Sequence, residues 1–442
     1  MATLQPYKIY NSVAYDYATE LPDGWQLWKI AHAFNLIGSG TTPQSGNISF
    51  YESGTINWIN TGDLNDGVIN ECKNKITELA FKKHSVLKIY PKGTLLVAMY
   101  GATIGKAAVM NLEGCTNQAC CALSKSKILT NKFTLYWFIA NRKNIVNLSY
   151  GGGQPNISQD VIKKLKIPVP PLEVQNSIVA YLDKKNSEID KFIRNKERLV
   201  ELLEEEKINS FERLTRIGIN NQSKLKPSGV SWIGDINEEW ELRKVSHSFK
   251  KIGSGTTPTS GANEYYNNGI HPWVNTGDLN DGYLNSVNTL ITKKALKDYP
   301  TLKQYPENTL LIAMYGATIG KVSILQIKAC TNQACCALVP HKYFDTEYIY
   351  YWFKGNRNKI ISLSYGGGQP NISQDVIRNI RIPCPLIGVQ QEIVQQIILD
   401  EERLNLIISK AQKEISSIKE YREALITDLV TGSRSVPQLQ LN

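Results

Sequence analysis

The 442-residue sequence predicts an α/β (α+β) protein with two homologous modules and two long helices that form an antiparallel coiled coil with pseudo-two-fold symmetry. The first observation is an internal repeat without gaps: MYGATIGK begins at Met99 and again at Met314, 215 positions later. The second is that apolar residues alternate at spacings of four and three after each copy, which is typical of a coiled coil. The predicted boundaries are 1–172 for module one, 173–215 for helix one, 216–387 for module two and 388–435 for helix two.

Three further identical segments keep the same offset. IGSGTTP begins at Ile37 and Ile252, NTGDLNDG at Asn60 and Asn275, and SYGGGQPNISQDVI at Ser149 and Ser364. Because the repeat has no insertion or deletion, we expect a covalent pseudo-dimer. A two-fold axis relating the copies would match a dyad of duplex DNA.

The stretches after the modules predict two helices that pair with each other. At about 1.5 Å per residue each is a rod of roughly 55–60 Å, which cannot bury its apolar stripe alone. Antiparallel pairing is favoured, because the connection from about Arg213 to Asp235 is too short to return along such a rod. The stripes are Leu182, Ile189, Ile193, Val200 and Leu203, and Leu404, Ile408, Ala411, Ile415, Ile418, Leu425 and Leu429, with Arg422 in a polar position.

Composition favours a soluble cytoplasmic protein. The formal net charge is +10 and the pI is near 9.0, which is compatible with a nucleic-acid partner without establishing one. No apolar run approaches 18 residues and the N-terminus lacks a signal-peptide pattern, so we expect no membrane partner.

The cysteines and the acidic turns do not predict a metal site. Six of the eight cysteines lie in two copies of CTNQACCAL, which has no CxxC pair, and adjacent cysteines in a strand point to opposite faces. We therefore expect small buried strand residues. The DLNDG run resembles a calcium loop, but Asn74 and Thr289 occupy the position where a bidentate glutamate is needed.

The GATIGK segment is not a phosphate-binding P-loop. Only three residues separate its glycines instead of four, and neither serine nor threonine follows the lysine. We predict a strand-turn-strand hairpin that presents Tyr100, Thr103 and Lys106.

The helix predicted from Lys132 to Asn147 carries aromatic residues that favour packing over base stacking. The loop after it contains three glycines, which permit close backbone approach, and two amides, those of Gln154 and Asn156. The loop can contact a nucleic acid or cap the helix, and both interpretations stay open. His32 and His247 are the repeated histidines and are expected to pack or cap.

The motifs occur in the same order in both copies. With them, the chain resembles the specificity (HsdS) subunit family of type I restriction-modification systems over essentially its whole length. The motifs are IGSGTTP, W-x-N-T-G-D-L, MYGATIGK, the CTNQ run, GGGQPNIS and IPVPPLEVQ. The resemblance implies two target-recognition domains, each binding half of a bipartite target in double-stranded DNA. It implies two spacer helices that dock two modification (methyltransferase) subunits, which supply the methyl donor site and the chemistry, while restriction or translocase subunits add cleavage. This chain would then have no catalytic residues and no cofactor.

The resemblance implies DNA contacts from three segments of each module. Residues common to both modules can instead build the frame, while sequence is read by divergent stretches such as Gln44–Asn57, within an expected exposed loop at Ser45–Ile56, and Val68–Tyr90. Because the modules are alike, we expect a nearly palindromic target. The candidates are Thr41, Thr42, Tyr100, Thr103, Lys106, Gln154 and Asn156, and their copies Thr256, Thr257, Tyr315, Thr318, Lys321, Gln369 and Asn371.

Two other functions remain open from the residues alone. A stand-alone tandem DNA-binding adaptor or repressor would need only the intramolecular stripe, whereas docking needs a second apolar face. Phe192, Leu199, Leu202 and Phe211 lie beside the stripe and indicate such a face. An enzyme using the glycine-rich loop is disfavoured, because no acid-base or metal cluster is repeated.

Overall fold

The computed structural model describes residues 4–13, 15, 19–149, 156–220, 222–363 and 371–437. The chain forms two compact units, one of Met1–Lys196 with Lys413–Asn442 and one of Glu197–Gln412. Each unit therefore contains one module and a part of both long helices. This division differs from the linear order of module, helix, module and helix along the chain.

The described part of the first module contains twelve strands, five short helices and three 3-10 turns, and a long helix follows it. The elements are β1 (Tyr10–Ser12), β2 (Glu20–Pro22), β3 (Gln26–Lys29), α1 (Ile30–Ala33), β4 (Leu36–Gly38), β5 (Ile56–Ile59), β6 (Val68–Ile69), β7 (Lys75–Ile76), α2 (Glu78–Lys83), β8 (Leu95–Ala98), β9 (Ala107–Met110), β10 (Cys115–Thr116), β11 (Cys120–Ser124), α3 (Asn131–Ala140), α4 (Arg142–Asn147), α5 (Gln159–Lys164), β12 (Lys166–Val169) and the long α6 (Leu172–Ile217), with 3-10 turns at Ile48–Phe50, Thr61–Asp63 and Gly101–Thr103.

A five-stranded sheet in the order β4-β11-β8-β9-β6 forms the centre of the first module. The strands β4, β11, β8 and β9 are antiparallel to one another in turn, and β6 runs parallel to β9. Alternate residues of β8 point to opposite faces. Val97 joins the cluster that contains Phe133 and Trp137 of α3, while Leu96 joins a separate cluster on the other face. The prediction that the aromatic helix packs is confirmed.

A smaller three-stranded sheet, β10-β5-β7, packs with α2 around a third apolar cluster. Phe50 belongs to this cluster and is only 5% exposed. Most of Ser45–Ile56 is exposed, as expected for a loop, and Phe50 is the buried residue that anchors it. The stretch forms the 3-10 turn Ile48–Phe50, because its phenylalanine packs beside Trp58 and Ile76.

The second module repeats this architecture, with the five-stranded order β16-β23-β20-β21-β18 and the three-stranded order β19-β17-β22. Its short helix α8 takes the place of the 3-10 turn at Ile48–Phe50. The elements are β13 (Leu225–Pro227), β14 (Asp235–Asn237), β15 (Glu241–Lys244), α7 (Val245–Ser248), β16 (Lys251–Gly253), α8 (Asn263–Tyr266), β17 (His271–Val274), β18 (Tyr283–Leu284), β19 (Leu290–Ile291), α9 (Lys293–Asp298), β20 (Leu310–Ala313), β21 (Val322–Leu325), β22 (Cys330–Thr331), β23 (Cys335–Val339), α10 (Thr346–Gly355), α11 (Arg357–Ile361), α12 (Gln374–Asn379), β24 (Arg381–Cys384) and the long α13 (Ile387–Val430).

In the first unit, the segments of α6 and α13 run antiparallel. Asp190 forms an ion pair with Arg422, and Lys196, further along α6, pairs with Glu414, which lies earlier in α13. Leu182 of α6 and Leu425 of α13 are buried in the same cluster as the aromatic helix. The apolar stripes thus become part of the module core, and antiparallel pairing is confirmed within this unit.

The second unit shows the same direction of pairing. Phe211 of α6 and Ile397 of α13 share the core of the module, while Lys207 Nζ donates to Asn405 Oδ1 at 3.1 Å. Moving away from the core, the residue number falls in α6 and rises in α13, so the segments are antiparallel. Phe211 is 1% exposed and contacts Tyr351, so its assignment to a second exposed face was wrong.

The two ends of the described chain meet in the first unit. Gln5 and Ser435 form an antiparallel bridge, and Val436 is buried in the same cluster as Leu182. In the part of the chain that the structure describes, no helix combines the length and the apolar character needed to cross a membrane.

The packing of α13 against the first module predicts a local loss of stability when one leucine is shortened. Leu429 is fully buried, so Leu429→Ala should destabilise the first unit by about 2–5 kcal/mol. Native-state hydrogen exchange should accelerate at the amides of β8 and remain unchanged at those of β20. The matched control is Leu406→Ala, because Leu406 lies on the same helix and is 56% exposed. Equal effects of the two substitutions would contradict the packing described.

Candidate nucleic-acid interface

The predicted site residues of the first module gather at one end of its five-stranded sheet. Because β4, β11, β8 and β9 alternate in direction, the segments 39–43, 117–119 and 99–106 all lie at this end. An isolated bridge between Tyr100 and Asn156 adds the residue after the glycine-rich loop. Gln154 lies outside the described residues. The structure brings together Thr41, Thr42, Tyr100, Thr103, Lys106 and Asn156.

The second module presents the equivalent end of its sheet. At this end of the sheet, β16 and β20 finish and β23 and β21 start. Tyr315 and Asn371 form an isolated β-bridge there. Gln369 lies outside the described residues. The residues brought together are Thr256, Thr257, Tyr315, Thr318, Lys321 and Asn371.

The threonine loop is fixed through its backbone. Trp58 Nε1 donates to the carbonyl of Thr41 at 3.1 Å, and the amide of Gly40 donates to Thr116 Oγ1 at 3.0 Å. A Cβ atom on Gly40 would lie only 1.7 Å from the carbonyl oxygen of Thr116, so only glycine allows this crossing. The second module has the same contacts from Trp273 and Gly255.

Each threonine loop is linked to a glutamine that the sequence reasoning missed. The hydroxyl of Thr42 donates to Gln118 Oε1 at 2.7 Å, and that of Thr257 donates to Gln333 Oε1 at 2.6 Å. Both glutamines are exposed. They lie in the CTNQ run, where the cysteines alone were considered. The identical polar residues beside those cysteines were the available signal.

The hairpin prediction is confirmed by the antiparallel pairing of β8 with β9. Tyr100 is 41% exposed, and the hydroxyl of Thr103 donates to its carbonyl at 3.1 Å. That threonine therefore closes the turn. Lys106 and its copy Lys321 are partly exposed, and no carboxylate among the described residues lies within ion-pair distance of either. These lysines have the charge and the access needed to contact a phosphate.

An ion pair holds the base of the first hairpin, and sequence reasoning missed it as well. Asp66 Oδ1 accepts from the amide of Ala107 at 3.1 Å and from Arg142, whose Nε donates to the carbonyl of Gly105 at 3.2 Å. Asp66 adopts a positive φ of 60°, which aspartate tolerates better than most residues. The pair ties the turn after the NTGDL segment and the start of α4 to the hairpin.

The same arrangement supports the second hairpin. Asp281 accepts from the amide of Val322 at 3.1 Å and pairs with Arg357, which donates to the carbonyl of Gly320 at 3.0 Å. Asp281 also has a positive φ, of 58°. The signal available in the sequence was that both residues of the ion pair, the aspartate and the arginine, recur 215 positions later.

The six repeated cysteines are buried strand residues, as predicted. Burial raises the pKa of the Cys121 and Cys336 thiols to about 12, and that of Cys330 to about 11. Neutral thiols of this kind are neither good nucleophiles nor ready metal ligands. Within the described ranges, no three histidine, cysteine, aspartate or glutamate side chains form a cluster that could hold a metal ion.

The model of the type I restriction modification DNA specificity domain matches the chain twice, over residues 22–202 and 237–418. The MjaIX specificity subunit of Methanocaldococcus jannaschii, a type I restriction enzyme, is 26% identical over 435 residues, which cover 95% of this chain and 96% of that protein. The EcoKI specificity subunit of Escherichia coli K12 is 22% identical, over 90% of this chain and 86% of that protein.

Solved structures share the fold. One chain, from a study of complex assembly and conformational transition in a type I R-M system, has a TM-score of 0.71 at 15% identity and covers 93% of this chain and 99% of its own. The HsdS subunit from Thermoanaerobacter tengcongensis has a TM-score of 0.54 at 15% identity, covering 93% and 98%.

The two family matches cover most of the chain, and each contains most of one module with the first part of the helix that follows it. The relatives are similar along nearly their whole length. The chain therefore belongs to the type I restriction modification DNA specificity domain family and is a DNA specificity subunit, not a catalytic one.

Proposed function

We propose that each module binds one half of a bipartite target in double-stranded DNA and that α6 and α13 set the spacing between the halves. The observation that carries the proposal is that both modules present the same side chains at the same end of the same sheet. These side chains are a tyrosine, exposed in the first module and partly buried in the second, an exposed amide and a lysine without a carboxylate partner among the described residues. Such groups contact phosphates and base edges.

The likeness of the modules supports half-sites that are similar and inverted. Within each unit the segments of α6 and α13 are antiparallel. Two copies of one reader in a chain of this kind suit a target whose halves have opposite polarity on the two strands. The half-sites need not be identical, because residues 44–57 form a 3-10 turn at Ile48–Phe50 and the equivalent residues 259–272 form α8. These segments account for the bases at which the halves differ.

The long helices also carry apolar side chains that no described core covers. In the second unit, Leu199 and Leu202 of α6 are 37% and 45% exposed, and Leu399 and Leu406 of α13 are 60% and 56% exposed. A stand-alone DNA-binding adaptor needs only the apolar stripe between the two helices and does not require these exposed leucines. We assign it to the docking of two modification subunits, which provide the methyl donor site and the methylation chemistry and which restriction or translocase subunits can join.

Genome-wide mapping of methylated bases in a host that expresses the complete system tests the half-sites. The expected target has two similar half-sequences, inverted around a fixed spacer. Replacing residues 259–272 by the sequence of residues 44–57, which has the same length, should make the halves more alike. Two unrelated half-sequences, or an exchange without effect on the target, would contradict the proposal.

A deletion of one heptad from the middle of each helix tests the spacer. Removing residues 197–203 and 408–414 preserves the stripe and shortens each helix by about 10 Å, which corresponds to about three base pairs. The methylated target should keep both half-sequences and have a shorter spacer. Changed half-sequences around an unchanged spacer would refute the division of labour between modules and helices.

Charged substitutions on the exposed helix face test the docking of modification subunits. Leu199→Glu with Leu202→Glu should abolish co-purification with the modification subunit, because the complex would bury two carboxylates in an apolar contact. Ile48→Glu is the control, because Ile48 is 70% exposed and lies in a module. If the wild-type chain does not co-purify with a modification subunit, a stand-alone DNA-binding adaptor explains the structure better than a docking subunit does.

A further inference from the structure

A glutamine occupies the middle of the sheet end in each module. The loop 117–119 is held on two sides. The amide of Gly40 donates to the carbonyl of Asn117 at 3.2 Å, and the amide of Met99 donates to the carbonyl of Ala119 at 2.8 Å. Gln118 therefore lies between the threonine loop and the hairpin. It is exposed, whereas Ala119 is buried.

Its neighbours in the frame are less exposed and form hydrogen bonds within the module. Asn117 Oδ1 accepts from the amide of Ala119 at 3.1 Å, and Thr103 donates to the carbonyl of Tyr100. Gln118 differs from both in its exposure. Its Oε1 accepts the hydroxyl of Thr42, and no described residue accepts a hydrogen bond from its Nε2.

In this structure the amide oxygen of Gln118 faces the hydroxyl of Thr42. An amide oxygen has two lone pairs, so Gln118 keeps one acceptor site and both N–H donors for a ligand. Adjacent donor and acceptor match the N7 acceptor and the N6 amino donor of adenine in the major groove. Guanine presents two acceptors there and does not match an amide in this way.

The second module repeats the arrangement atom for atom. Thr257 donates to Gln333 Oε1, and Asn332 Oδ1 accepts from the amide of Ala334 at 3.0 Å. The amide of Gly255 also donates to the carbonyl of Asn332, at 3.2 Å. Two modules with the same exposed amide at the same position would read the same base in each half-site.

We propose that Gln118 and Gln333 are specificity-determining residues that each recognise one adenine in their own half-site, and that Thr42 and Thr257 are positioning residues for the amides. The inference rests on the proposed function. It distinguishes residues that read bases from residues that build the frame among the side chains that the two modules share. The asparagine beside each glutamine and Thr103 of the first hairpin form internal hydrogen bonds and are less exposed than the glutamines.

Selection from a randomised duplex library by the full-length chain tests the proposal, and the unaltered module of each variant is an internal control. Gln118→Ala should reduce the preference for adenine about tenfold or more at one position of one half-site, and Gln333→Ala should do so at the equivalent position of the other. Gln118→Glu should shift the preference at that position from adenine to cytosine, whose amino group donates to a carboxylate. Thr42→Val should weaken the preference, while Thr42→Ser should retain it.

An unchanged adenine preference in Gln118→Ala, or a loss spread evenly over all positions and both half-sites, would overturn the inference and leave the proposed function intact. A wild-type chain that selects no bipartite sequence would overturn both. Selection at the other positions of the same half-site shows in the same experiment that the substituted module is folded.

Discussion

The structure depends on the burial of two apolar helix stripes against each other and against the modules. Leu182 and Leu425 are fully or almost fully buried in the core of the first unit, and Phe211 and Ile397 are so in the second. Neither long helix can bury its stripe alone, and neither described module core is complete without residues from both helices. Each long helix is therefore also a structural part of both units, so the packing of the helices and the stability of the modules are coupled.

At the sheet end, groups that build the loops are distinct from groups that remain available. Asp66 and Arg142 neutralise each other while they fix the base of the hairpin, and Gly40 lets the threonine loop pass over Thr116. The lysine at the end of the hairpin keeps its charge without a carboxylate partner in the described structure. The sheet end therefore combines a rigid frame with an exposed glutamine amide and a partly exposed lysine. A rigid frame lowers the entropic cost of binding.

Local patterns in the sequence were enough to predict the repeat, the helices, the hairpin, the aromatic packing helix and the buried cysteines. Each of these depends on periodicity or on residues close together in the chain. The pairs that sequence reasoning missed are separated by 76 positions, as Thr42 is from Gln118 and Asp66 from Arg142. Such pairs depend on sheet order, which a single sequence does not reveal. Phe211 was misplaced for a related reason: helical spacing identifies a face, but the aromatic ring that covers it, Tyr351, belongs to a distant helix.

The two units differ in how their residues are distributed along the chain. The second unit is a continuous segment, Glu197–Gln412, whereas the first needs residues from both ends of the chain, including the bridge between Gln5 and Ser435 and the buried Val436. During translation, the second unit has its whole core once residue 412 has left the ribosome. The first module emerges earlier, yet it must wait for Leu425, Leu429 and Val436 before its core closes. The module that is made first is thus the last to finish folding, and until then its apolar surface needs protection from aggregation.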